Sequence, residues 1–243
     1  MANPNFRIEG VHAGYVADVD ILRGLDLETA GRPVTLIVGP NGAGKSTVLK
    51  AAYGFLRPRI GKILLDGVEL NNLPPFELKR RGLGFIPQTT NVFPNLSVIQ
   101  NLRLGGFTLR RQKRLLRERI DKVFDVFPFL AERRYARASE LSGGQAKSLS
   151  IAKEMVTEPR ILLVDEPTAG LSPVMSDLVY DVLLKARESF DAQVLLVDQN
   201  IEDSVAIADY VYMLDLGRVR AEGAAKEFTD SRVRTLIQEA LNG

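Results

Sequence analysis

The chain has 243 residues, 45% of them hydrophobic and 26% charged, enough apolar material for one large α/β domain or two small ones. Its 32 basic and 30 acidic residues leave a net charge of +2, so no long-range field marks a nucleic-acid binder and no nucleic-acid partner is expected. The absence of cysteine excludes disulfides, thiolate metal sites, iron–sulfur clusters and cysteine nucleophiles, and permits a reducing compartment.

The opening MANPNFRIEGV has neither the charged nor the apolar region of a signal peptide. No apolar run anywhere approaches the roughly 20 residues needed to span a bilayer. A cytoplasmic location is expected, with any membrane role coming through a partner. Short β-branched runs at Val34 to Val38, Ile161 to Val164, Val194 to Val197 and Val211 to Leu214, with helical patterns between them, predict a parallel sheet wound with helices. Gly61 to Gly67 (GKILLDG) and Leu216 to Gly223 (LGRVRAEG) read instead as antiparallel hairpin pieces with glycine turns, an α+β element attached to the parallel core. From Pro94 to Glu158 strand signals fade. Leu116, Ile120, Val123, Phe124 and Phe127 fall on one helical face until Pro128 breaks the pattern, which predicts a helical subdomain inserted into the core. The run from Arg110 to Lys122 carries seven Lys or Arg against two acids, a solvated helix face or a contact for anionic lipid headgroups. Val233 to Leu241 reads as a closing amphipathic helix.

Directly after the apolar run VTLIV comes GPNGAGKST, comprising Gly39, Pro40, Asn41, Gly42, Ala43, Gly44, Lys45, Ser46 and Thr47, in the strand–loop–helix setting that a P-loop needs. The glycines let successive amides turn inward onto phosphate oxygens, and the following helix adds the positive end of its dipole. Lys45 is expected to reach the β- and γ-phosphates and the Ser46 hydroxyl to ligate Mg²⁺. The strand ILLVDE ends in two carboxylates, of which Asp165 takes the metal side and Glu166 polarises an attacking water. The segment LSGGQ, with Ser142, Gly143, Gly144 and Gln145, precedes a helical pattern. It reads either as a helix-capping turn or as a second phosphate grip, and a second grip is redundant unless it closes over the nucleotide of a partner subunit.

With these three motifs in order, the chain resembles the ATP-binding-cassette (ABC) ATPases over most of its length, from about Phe6 to Phe228. The resemblance implies an α/β P-loop NTPase of the ABC ATPase fold: a mixed sheet core, an antiparallel β element and an inserted helical subdomain. It implies a single ABC domain over 1–243, with 1–87 and 159–243 as the nucleotide-binding core and 88–158 as the helical signature subdomain. It matches Tyr15 to the aromatic residue that stacks on adenine, and Gln88 of GFIPQ to the glutamine that contacts Mg²⁺ and links the site to the helical subdomain. AGLSP, Ala169 to Pro173, falls where the family has its dimer-contacting loop. Most such ATPases have a histidine after the last core strand; VLLVDQN has Gln199 there, and the lone histidine is His12. Gln199 still donates a hydrogen bond to the γ-phosphate but cannot act as a base, so catalysis would rest more on Glu166.

ILRGLDLE, GFIPQTTNVFPNLSVIQNL, AGLSP and LLVDQNIEDSVAIAD together look like the ATPase subunit of the branched-chain amino acid importer family, some branches of which handle urea or short amides; QAKSLSIAKEM departs from the usual glutamine-rich continuation. The implied ligands are ATP and Mg²⁺. The implied partners are a second ABC ATPase subunit, homo- or heterodimeric, transmembrane permease subunits that dock around Phe93, Pro94, Asn95 and Leu96 (Phe93 and Leu96 equally fit the core of the helical subdomain), and indirectly a substrate-binding protein. The implied location is peripheral, on the inner face of the cell membrane. An exporter ATPase or a weakly active nucleotide-dependent regulatory subunit is the alternative.

Overall fold

The computed structural model describes residues 4–228 and Thr235, so the helix expected at Val233 to Leu241 lies, apart from Thr235, outside the described residues. Strands β1 (Phe6–Ala13), β2 (Leu22–Glu28), β4 (Ile60–Leu65) and β5 (Val68–Glu69) form an antiparallel sheet in the order β2-β1-β4-β5. Strands β3 (Val34–Val38), β6 (Leu83–Ile86), β7 (Ile161–Asp165), β8 (Gln193–Val197), β9 (Tyr210–Asp215) and β10 (Arg218–Ala224) form the second sheet, in the order β10-β9-β3-β8-β7-β6. Every pairing in it is parallel except the β9–β10 hairpin. The two glycine-turned pieces therefore belong to different sheets: Gly61 to Gly67 sits in and after β4 of the antiparallel sheet, whereas Leu216 to Gly223 closes the edge of the mixed one.

Sheet burial explains why β3, β7 and β8 read as unbroken apolar runs. Alternate side chains point to opposite faces, and both faces are covered. Leu36, Val38, Leu162, Val164, Val194 and Leu196 enter one buried cluster with the helices. Their neighbours Ile37, Ile161, Leu163, Leu195 and Val197 enter a second cluster with the antiparallel sheet and helix α1 (Lys45–Ala52). Truncating a fully buried leucine such as Leu36 to alanine costs about 2–5 kcal/mol in a core of this kind.

Helix α2 (Pro75–Arg80) precedes β6; α3 (Val98–Gly105), α4 (Lys113–Val126), α5 (Pro128–Glu132) and α6 (Gly143–Met155) fill the expected helical segment. Ile120, Val123 and Phe124 are the buried face of α4, and Pro128, which cannot continue that helix, becomes the first residue of α5. Helix α7 (Pro173–Phe190) and α8 (Ile201–Ala206) complete the described helices. The first cluster runs without a break from α3, α4 and α6 into the parallel strands.

Candidate functional site

The parallel strands β3, β8, β7 and β6 are neighbours in that order, so their carboxyl ends stand side by side. Those ends are followed by Gly39, Gln199, Glu166 and Gln88 in turn, the usual place for a ligand in an open α/β sheet. After β3 the backbone turns at Gly39 with φ 150°, where a Cβ would run into the carbonyl oxygen of Leu214. Gly44, at φ 101°, starts α1 in a left-handed conformation, and a Cβ there would press on Leu22. Pro40 accepts a hydrogen bond from Ala43 at 3.2 Å, which closes the loop, while Asn41 and Gly42 form its exposed tip. Thr47 is buried just inside α1.

Lys45 is 5% exposed, and its ammonium donates to the carbonyls of Gly39 at 2.9 Å and Pro40 at 3.0 Å. Burial lowers its pKa, and the nearby charges of Glu166 and Asp165 pull it back toward the charged form. Ser46 Oγ donates to Asp165 Oδ1 at 2.8 Å across the gap between α1 and β7. Burial raises the Asp165 pKa, the Ser46 hydrogen bond opposes the rise, and the Glu166 charge adds to it. Tyr15 stands 55% exposed near the same helix, its hydroxyl 3.5 Å from Thr47 Oγ1 and its ring 5.5 Å from the Lys50 ammonium. A flat exposed ring beside a P-loop can take an adenine on its face.

Glu166 follows β7 in a left-handed conformation, φ 42°, which is uncommon for a side chain of its size. Its own N–H donates to Val197 O at 2.8 Å, so the kink is held by the neighbouring strand. The Glu166 carboxylate is within reach of two amides. Gln88 Nε2 donates to Glu166 Oε2 at 2.7 Å, and Gln199 Nε2 donates to Glu166 Oε1 at 2.8 Å. An opening of about 510 Å³ lies beside this triad, reaching Ala169, Gly170, Pro173 and Asn200. The lone histidine is elsewhere: His12 on β1 meets Asp20 at 3.0 Å.

Residues that motif reasoning passes over hold this arrangement in place. Asp198, 3% exposed, accepts from Tyr180 Oη at 3.0 Å, from Thr168 Oγ1 at 3.2 Å, and from the backbone amides of Gln199 at 2.7 Å and Asn200 at 3.0 Å. It thereby fixes the turn that aims Gln199. Burial pushes its pKa up, and these donors oppose the shift. The only trace in the sequence is a carboxylate at the end of an apolar run.

The LSGGQ segment lies at the start of α6. Ser142 N–H donates to Gln145 Oε1 at 3.1 Å and Gln145 N–H donates to Ser142 Oγ at 3.4 Å, a reciprocal cap. The capping reading therefore holds for this chain by itself. Among the described residues, however, nothing accepts from the amides of Gly143 or Gly144, which sit at the positive end of a 13-residue helix. A Cβ on Gly143 would meet only Leu171, at 3.8 Å, so that side is open.

The residues present suit a hydrated magnesium ion. Ser46 Oγ already stands 2.8 Å from Asp165 Oδ1, and Mg²⁺ with nucleotide phosphates takes one or two carboxylates while keeping waters. Among the described residues no cluster of three or more His, Cys, Asp or Glu forms a protein cage for a metal.

Residues 22–169 match the ABC transporter family, more than half of the chain. The probable branched-chain amino acid transport ATP-binding protein LivF of Archaeoglobus fulgidus is 37% identical over 220 residues, covering 90% of this chain and 92% of its own. The high-affinity branched-chain amino acid transport ATP-binding protein BraG of Pseudomonas aeruginosa is 33% identical over 90% of this chain and 94% of its own. Among solved structures, MJ1267, an ATP-binding cassette of an ABC transporter, aligns with a TM-score of 0.83 at 26% identity, covering 98% of each chain. The chain belongs to the ABC transporter family and has the ABC ATPase fold, the ATP-hydrolysing cassette of such transporters.

Proposed function

We propose that this chain powers the uptake of branched-chain or related amino acids, or of urea or amides, as one of two cassettes that hold two ATP molecules between them. The names of LivF and BraG support the substrate class. The observation that carries the mechanism is the meeting of Gln88 and Gln199 on Glu166, beside the Ser46–Asp165 pair. In this reading the amides of the Gly39 to Gly44 loop and the Lys45 ammonium bind the phosphates, and Tyr15 packs on the base. Mg²⁺ held by Ser46, Asp165 and the Gln88 side-chain oxygen would neutralise phosphate charge.

Glu166 is the base. Each of its oxygens accepts from an amide, Gln88 on one side and Gln199 on the other. An amide nitrogen that turns to the γ-phosphate, as Gln199 can, releases a carboxylate oxygen to accept a proton from water. Gln199 donates but takes no proton, which leaves Glu166 as the acceptor. Ser142, with the amides of Gly143 and Gly144, then grips the γ-phosphate bound by the other cassette, and AGLSP lies at that junction. Residues 88–158 move as the helical unit that carries this grip.

Membrane attachment comes through permease subunits, because among the described residues no helix is long and apolar enough to cross a bilayer. Phe93 is 51% exposed, Phe76 56% and Phe107 56%, around an opening of about 370 Å³ floored by the 2.6 Å Lys79–Glu154 ion pair. These rings are the proposed seat for the permease, and in this reading the chain works at the inner membrane face.

Glu166→Gln tests the mechanism. It is expected to keep ATP affinity, to lose at least about 100-fold in hydrolysis, and to collect as an ATP-bound dimer on gel filtration. Hydrolysis at the wild-type rate would overturn the assignment of the base.

A further inference from the structure

One face of α6 carries three polar side chains at successive turns, Lys147, Ser150 and Lys153, all turned toward the segment that follows β6. They are 3%, 0% and 7% exposed. Lys147 Nζ donates to the carbonyls of Pro87 at 2.9 Å and Gln88 at 3.0 Å. Ser150 Oγ donates to Asn91 Oδ1 at 2.6 Å, and Lys153 Nζ donates to the Asn91 carbonyl. Among the described residues neither lysine forms an ion pair. A buried ammonium without a carboxylate partner is costly, and two strand-end carbonyls could be satisfied by water or an amide instead. What a fixed cation adds is a stiff link between a helix and one particular piece of main chain.

That piece is the main chain of Gln88, whose side chain holds Glu166 at 2.7 Å. The other end of the link is close to the grip on the partner's nucleotide, since Lys147 lies five residues after Ser142, about 7.5 Å along the helix at the usual rise. We infer that Lys147 is a positioning residue for ATP hydrolysis: by clamping the Pro87 and Gln88 carbonyls it makes Gln88, and through it Glu166, follow any displacement of the helix that begins at Ser142. The inference rests on the roles given above to Gln88, Glu166 and Ser142.

The test is a double-mutant cycle with Lys147→Met, which keeps volume and removes the donors, and Gln88→Ala. It is run on whichever pair of cassettes hydrolyses ATP. Lys147→Met is expected to lower kcat about tenfold while KM for ATP stays within about twofold, and to have no further effect in the Gln88→Ala background. In the ATP-free chain, hydrogen exchange of the amides in 88–91 should quicken in Lys147→Met. Multiplicative losses in the double mutant, an unchanged kcat or unchanged exchange would each overturn the inference. A Gln88→Ala variant with wild-type kcat would overturn the role of Gln88 itself, and the inference with it. Should Lys147→Met fail to fold, Lys147→Gln is read by the same cycle, with its melting temperature as the control for structure.

Discussion

The two phosphate-facing regions of the chain are finished to different degrees. At the carboxyl ends of the parallel strands each functional side chain already has a partner: Ser46 on Asp165, Gln88 and Gln199 on Glu166, and Lys45 on the carbonyls of its own loop. At the start of α6 the side chains close on each other in a reciprocal cap, yet the amides of Gly143 and Gly144 are left without acceptors among the described residues. The difference teaches that a region can be locally satisfied and still functionally incomplete. The first region pairs its functional side chains within the chain; the second has donors that no described residue of its own chain uses.

Three substitutions sharpen the contrast. The largest effect is expected from Gly143→Asp. A carboxylate at the first turn suits the helix dipole and has room beside Leu171, so the melting temperature should hold or rise. The same charge repels a phosphate, so hydrolysis should fall about 100-fold, the scale of losing a preorganised donor. Wild-type turnover in Gly143→Asp would mean that the segment is only a cap. Next is Gln199→Ala, which removes one of the two amides on Glu166 and one donor for the γ-phosphate. Steady-state kinetics should show kcat down about tenfold, with ATP affinity little changed. The smallest effect is expected from Ser142→Ala on the isolated chain, where loss of the cap costs about 1 kcal/mol in denaturant unfolding. A loss several times larger would show that Ser142 does more in the single chain than close a helix end.

Much of this architecture is legible before any coordinates are seen, and the illegible parts have physical causes. The parallel strands declare themselves because burial on both faces demands unbroken apolar runs, as in VTLIV and ILLVD. Strand β1 hides because its alternation slips: the register with β2 shifts between Ile8 and Val11, around Gly10 at φ 56°, so no single period of two runs through it. The glycine-turned segments are recognisable as hairpins, but their assignment to separate sheets is a tertiary fact. The contact between Gln199 and Glu166 depends on β7 and β8 being neighbours in register, which no local pattern reports. Lys147 is hardest to see. In QAKSLSIAKEM a lysine looks like part of a solvated helix face, and only the packing of α6 against residues 87–91 turns it inward.

The central claim, that the Ser142 segment completes a nucleotide site on another cassette, has a direct test because the chain contains no cysteine. Cysteines introduced by Ser142→Cys and Asn41→Cys, in the Glu166→Gln background and with the accompanying cassette likewise carrying a thiol in its own phosphate loop if it is a different chain, are exposed to a mild oxidant. The expected result is a disulfide between two cassettes that forms with ATP and Mg²⁺ and is absent without nucleotide. A thiol at 142 that stays unlinked to any second cassette, with ATP and all natural partners present, would contradict the account.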